Sequence, residues 1–127
     1  MNKKMPEPIR LWIEELRSGE HTQTQGALQH GESYCCLGVA CIAARKNNIE
    51  IIIEGSTKKT KGLLDGISLR GQIAVQNWLK LENPYGKFKE ISFEGVYSLA
   101  NLNDDTRLNF LQIANVIEDN WEYLVKE

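Results

Sequence analysis

Apolar residues recur at helical spacing near both ends of the chain, with a denser apolar block between them. In IRLWIEELRSG, Ile9, Trp12, Ile13 and Leu16 stand at offsets 0, 3, 4 and 7, which is one face of a helix. Pro6 and Pro8 mark its start, and Gly19 is placed to end it in a left-handed cap. The opposite face carries Arg10, Glu14, Glu15 and Arg17 and is expected in solvent. In NFLQIANVIEDNWEYL, Phe110, Ile113, Ala114, Ile117, Trp121 and Leu124 repeat at offsets of three and four. Asn109, with Gln112 three residues on, predicts a capping box at the start of that helix. The central block from Leu37, GVACIAARKNN, is small and apolar up to Ala44, then basic at Arg45 and Lys46 before Asn47 and Asn48. It reads as a buried helix whose last-turn cations suit the negative end of the helix dipole.

Other stretches carry the strand signals. EHTQTQGALQHGESYCC is too polar and too Gly-interrupted for a helix, and GALQ and SYCC around His30-Gly31-Glu32 predict a β-hairpin. IEIIIEG, with three consecutive isoleucines, predicts a packed strand, and STKKTKGLLDGIS predicts a loop. A third helix is expected from Leu69 to Leu81, with Ile73, Val75, Trp78 and Leu79 as packing residues and Pro84 forbidding continuation. FKEISFEG, alternating Phe88, Ile91 and Phe93, predicts one more strand. The pattern as a whole describes an α+β fold in a single domain over residues 1–127. About four helices pack on a small, mainly antiparallel sheet, with the hairpin followed by the buried helix. A chain of 127 residues buries roughly two thirds of its unfolded surface, enough for a core without staples.

Charge narrows the partners. Fifteen Lys and Arg against seventeen Asp and Glu give a formal net charge of −2, which disfavours nucleic acid as a partner. Lys58, Lys59 and Lys61 form only a local basic cluster. No run approaches the roughly 20 apolar residues of a membrane span, and MNKKMPEP lacks the apolar core of a secretory signal. Three cysteines in such a chain fit a reducing cytoplasm, so a cytoplasmic protein with no membrane partner is expected.

The cysteines in ESYCCLGVACIA raise the question of chemistry. Cys35 and Cys36, if extended, face opposite sides of a strand and cannot easily share one ion, and His21 and His30 are the only histidines. A nucleophilic Cys36 would sit near a helix start with His30 across the hairpin turn. Core packing as small hydrophobes is favoured for all three, with Gly38 letting another backbone come close. No metal, cofactor or catalytic residue is expected. Binding chemistry falls instead to two polar runs. LRSGEHTQTQGAL gathers Arg17, Ser18, His21, Gln23 and Gln25, where a guanidinium suits a phosphate or carboxylate. SLANLNDDTRLNF places Asn103, Asp104 and Asp105 next to the last helix, where amide and carboxylate groups suit a base and a ribose. Tyr34 or Trp12 would stack on a ring. A solvated connector, helix caps and Asx turns are the structural alternatives. No Gly-rich phosphate loop, GxSxG elbow or HExxH occurs.

Taken in order, the chain shows LRSG with Gln23, CCLGV with Cys41, Trp78-Leu79, Ser98-Leu99 with Leu102 to Asp104, and Phe110, Ile113-Ala114 and Ile117-Glu118. This order resembles a widespread group of small, uncharacterised proteins encoded by phages and bacterial mobile elements. His21 stands where that group commonly has tyrosine, and Asp105-Thr106-Arg107 replaces a more glycine-like turn. The resemblance implies a counter-defence setting. The expected function is a non-enzymatic sponge, a homo-oligomer included, that sequesters a nucleotide-like signal molecule in the host cytoplasm. The alternatives are a protein-interaction inhibitor of a host enzyme, a DNA-binding regulator built on the last two helical segments, and an enzyme using Cys36 or the acids.

Overall fold

The computed structural model describes residues 4–53, 64, 66–93, 95–106 and 108–126. Helix α1 spans Glu7–Arg17, opened by Pro6 and Pro8, whose missing N–H groups cost nothing in a first turn. It buries Ile9, Trp12, Ile13 and Leu16, the four residues that its spacing selects, and Gly19 leaves it at φ +77°. One residue of the supposed solvent face departs from expectation: the Glu15 side chain is only 10% exposed, because His21 and Lys46 close over it.

A three-stranded sheet follows, made of β1 (Thr22–Gln23), β2 (Gln29–His30) and β3 (Ser33–Tyr34) in the order β1-β3-β2. The hairpin forms where GALQ and SYCC predict it, with His30 opposite Ser33 and Gly31 at φ +60° in the turn. β1 adds to β3 in parallel, so the sheet is mixed. Helix α2, Cys36–Lys46, then runs through the centre with every residue from Cys36 to Ala44 buried. Trp12 fastens α1 to its first turn, the indole Nε1 donating to the Cys36 carbonyl at 3.0 Å. Gly38 is forced by packing, since a Cβ there would lie 2.0 Å from the Leu28 carbonyl oxygen.

The next segment corrects the sequence reading. Ile49–Ile53 form no strand, and Ile52 and Ile53 are exposed. The Gln72 side chain takes the place of a neighbouring strand there, accepting from the Ile52 N–H at 2.9 Å and donating to the Ile52 carbonyl at 2.7 Å. The loop expected at STKKTKG, with its lysine cluster, lies outside the described residues. The third helix is broken into a 3₁₀ turn, Leu69–Gly71, and α3, Ile73–Leu79, which stops at a left-handed Lys80 well before Pro84. Val75 and Leu79 are buried as expected, but Ile73 is 64% exposed. Among its described residues FKEISFEG forms no strand but a single isolated bridge, Phe93 with Val96, next to that of Lys87 with Ser98, although Phe88 is buried and meets Phe93 edge-on at 4.9 Å.

Asn103, Asp104 and Asp105, for which caps and Asx turns are the structural alternatives, lie in helix α4, Leu99–Asp105, the first of the last two helical segments, with the Ser98 hydroxyl accepting from Asn101 N–H. Helix α5, Phe110–Asn120, opens with the complete capping box of Asn109 and Gln112 and passes into a 3₁₀ turn, Trp121–Tyr123. α1 packs against α2 and α5, and one core cluster draws residues from all five α-helices described. Among the described residues, no helix is long and apolar enough to cross a membrane.

Candidate functional site

The two polar runs come together in part. Asn103 is fully buried on α4 and sits at the junction of three elements. Its amide oxygen accepts from the Cys36 N–H at the start of α2 (3.1 Å) and from Gln23 Nε2 on β1 (2.8 Å), while its Nδ2 donates to the Thr24 carbonyl (2.8 Å). Gln23 also donates to the Leu108 carbonyl, and Asp104 accepts from the Gly26 N–H at 3.0 Å and from Asn103. This network binds the β1 loop to α4 and uses the amide nitrogen of Gln23 and both polar atoms of the Asn103 side chain internally. Gln25 is exposed beside it, and Tyr34 is half-buried with His21 against its ring at 5.6 Å.

Arg17 and Ser18 lie elsewhere. The Arg17 guanidinium crosses to α5, donating to both Glu118 carboxylate oxygens at 3.1 and 3.2 Å and to Asn115 at 2.7 Å. That hydrogen-bonded carboxylate raises the Arg17 pKa, and Glu118 is lowered in turn. Ser18 donates to the Glu15 carbonyl and lines a cavity of ≈ 370 Å³ with Glu14, Glu15, Glu20 and Lys46. Three carboxylates on that wall oppose a phosphate. His21 and Glu15 are joined at 2.6 Å. Burial pushes the Glu15 pKa up, but the hydrogen bonds from His21 and Lys46 outweigh it and leave it lowered. The ligand atoms of Glu15, Glu20 and His21 lie within 4.8 Å of one another, yet Lys46 Nζ stands 2.9 Å from Glu15 and 3.4 Å from Glu20 and supplies the positive charge itself.

The three cysteines are free and buried. Cys35 caps α2, its Sγ accepting from the Gly38 N–H at 3.4 Å, and Cys36 Sγ donates to the Leu99 carbonyl at 3.5 Å. Burial raises all three thiol pKa values, that of Cys35 to about 11. A catalytic thiol needs the opposite shift, and His30 is exposed on the hairpin rather than held against Cys36.

A separate cleft is built from residues that carry no sequence motif. Leu69 N–H donates to the Pro84 carbonyl at 2.9 Å, holding the 3₁₀ turn against the NPYG loop. The loop is shaped by Asn83, whose side chain accepts from the Tyr85 N–H at 2.8 Å, and by Gly86 at φ +67°. This docking puts the Arg70 guanidinium over the Tyr85 ring, 5.9 Å from its centroid. The two line a cleft of ≈ 510 Å³ with Ile52, Ile67, Ser68 and Gln72. Ser68 and Gln72 are buried and fix its floor, whereas Ile52 and Ile67 are more than half exposed. A smaller cavity beside it adds Glu50 and Ile73. Sequence reasoning passed over Arg70 because ISLRGQ reads as the start of a helix. The available signal was Ile67, an apolar residue outside any periodic face.

The fold and its clefts define a small α+β protein with a mixed sheet and a buried central helix. The chain belongs to the family described as a domain of unknown function, DUF8296, whose model matches residues 1–121. Comparison with curated proteins and with solved structures gives no match.

Proposed function

We propose that this protein is a non-enzymatic binder that sequesters a nucleotide-like signal molecule, the counter-defence role that the resemblance to phage-encoded proteins implies. Arg70 carries this reading. Arg10 and Arg17 are committed to carboxylates, whereas Arg70 has no ion pair among the described residues and lies over an aromatic ring at an open cleft. A guanidinium for phosphate, Tyr85 for a ring and the Ile52 and Ile67 side chains for an apolar edge together meet the needs of a nucleotide. The Gln23, Asn103 and Asp104 network supports the framework, and the ligand falls to the Arg70 cleft. Calorimetric titration with linear and cyclic mono- and dinucleotides tests this, with chromatography of the recovered ligand. Binding of at least one compound, recovered intact and held tenfold less tightly by Arg70→Ala, is expected, which is a loss of about 1.4 kcal/mol. No affinity for any of them, or conversion of the compound, would contradict it.

A second reading, inhibition of a host enzyme by surface contact, is favoured by one observation. Ile52, Ile53, Ile67 and Ile73 are four of the seven large hydrophobics exposed among the described residues, and Ile52, Ile67 and Ile73 line the two adjoining cavities. These exposed isoleucines, with Arg70 and Tyr85 beside them, have the composition of an interaction hot spot. A complex that survives gel filtration and is lost on Ile73→Asp would favour it. A DNA-reading role fits less well, because Glu118 and Asp119 are exposed on α5 and Arg17 already covers part of that face.

A further inference from the structure

A second cavity, remote in composition from the Arg70 cleft, gathers positive charge in an otherwise acidic chain. Leu81 and Val125 form an antiparallel bridge, flanked by Lys126 N–H to the Lys80 carbonyl at 2.8 Å and Glu82 N–H to the Leu124 carbonyl at 2.9 Å. Leu81 and Val125 point into the core, so their neighbours Lys80 and Lys126 lie directly opposite one another on the exposed side. Like charges in that position repel and destabilise the pairing. Lys80 also holds the left-handed conformation that ends α3, at φ +58°, a place that glycine or asparagine occupies with less strain. Repulsion and strain thus coincide at one residue, and such coincidences mark places kept for something other than stability.

Both lysines line a cavity of ≈ 370 Å³ with Lys4, Pro6, Trp121, Glu122 and Val125. Three lysines and one glutamate therefore line this cavity, on a chain of net charge −2. Among the described residues, none of the three lysines is held in an ion pair. Lys89, close by, is already committed, its Nζ donating to the Val125 carbonyl at 2.7 Å. Trp121, the last ring of the α5 face, contributes a flat apolar wall to the same cavity.

We infer that this cavity is a binding site for a small polyanion of the phosphate class, with Lys80, Lys126 and Lys4 as its cationic contacts and Trp121 as its apolar wall. An anion between Lys80 and Lys126 converts their repulsion into two attractions, so binding and the stability of the bridge rise together. The site is independent of the Arg70 cleft.

Inorganic pyrophosphate is the probe, added to the full chain against sodium chloride of matched ionic strength, with the melting temperature and a calorimetric Kd as readouts. Pyrophosphate is expected to raise the melting temperature of the unaltered protein. In the Lys80→Gln/Lys126→Gln double variant the apparent Kd weakens at least tenfold, while without pyrophosphate the variant melts at or above the unaltered protein because the repulsion is gone. Arg70→Ala should keep the full pyrophosphate response, which separates this site from the nucleotide cleft. An equal response in the double variant, a response lost in Arg70→Ala instead, or no response beyond that of chloride would overturn the inference. Should the double variant melt below the unaltered protein, the lysines support the fold and the inference is likewise overturned. Lys4→Gln, outside the bridge, gives a second check: it should weaken pyrophosphate binding with the melting temperature unchanged, and unchanged binding would count against the site as drawn.

Discussion

Gly38 shows how a single missing side chain decides the packing of the centre. The Leu28 carbonyl occupies the space where a Cβ would stand, and it belongs to backbone that also accepts from the Cys35 N–H at 3.2 Å. Gly38→Ala must therefore push β2 away from α2, and a loss of about 3 kcal/mol in urea unfolding is expected. A change below about 0.5 kcal/mol would show that the contact yields freely. The cysteines act at the same scale. Burial raises the Cys35 pKa from 9.0 to about 11, so the folded chain holds that proton more tightly than the unfolded one. The sign follows: this stabilisation is whole below about pH 9 and is lost as pH rises towards 11. Unfolding midpoints should fall over that window, and the fall should be shallower in Cys35→Ala; an unchanged slope would refute the assignment. Gly38 and the buried thiols were legible in the sequence, because a small residue inside an apolar run has few other uses. Asn103 was legible only as a polar residue. That its amide joins β1, α2 and α4 depends on contacts 67 to 80 residues apart, which no local pattern records.

At the scale of elements, α1 and α5 were legible because each repeats its apolar residues over three turns, and α2 because an unbroken run of small apolar residues ends in two cations. The failures share a physical cause. IEIIIEG has the composition of a strand, but among the described residues none pairs with residues 49–53 as a strand, and the Gln72 amide satisfies Ile52 in its place. Removing that amide in Gln72→Ala should speed hydrogen exchange at the Ile52 amide by tenfold or more while α5 amides stay protected. Equal protection before and after would mean that the segment is held by something else. α4 was hidden by its polar composition, since Asn101, Asn103, Asp104 and Asp105 favour turns locally. Burial of Leu99, Leu102 and Asn103 overrides that preference. The short helix α3 failed for the opposite reason: its apolar positions extend past the point where Lys80 turns left-handed.

For the whole molecule, the proposed ligand cleft is lined by none of the residues of the motifs that carry the family resemblance. The CCLG and LND segments meet at the start of α2, where Gln23, Asn103 and Asp104 join β1, α2 and α4, while Arg17 of LRSG ties α1 to α5. Their strong sequence signal is explained by that assembly. The Arg70 cleft, by contrast, comes from a 3₁₀ turn and a proline loop that meet only in the folded chain. The central claim is that this cleft holds a nucleotide-like ligand without altering it. Native mass spectrometry of the protein as purified from cells, beside Arg70→Ala prepared identically, tests it most directly. The account predicts an adduct of nucleotide mass on the unaltered protein, released intact by heating and depleted in Arg70→Ala. An adduct retained equally by both proteins, or no adduct even after incubation with the nucleotide panel, would contradict it.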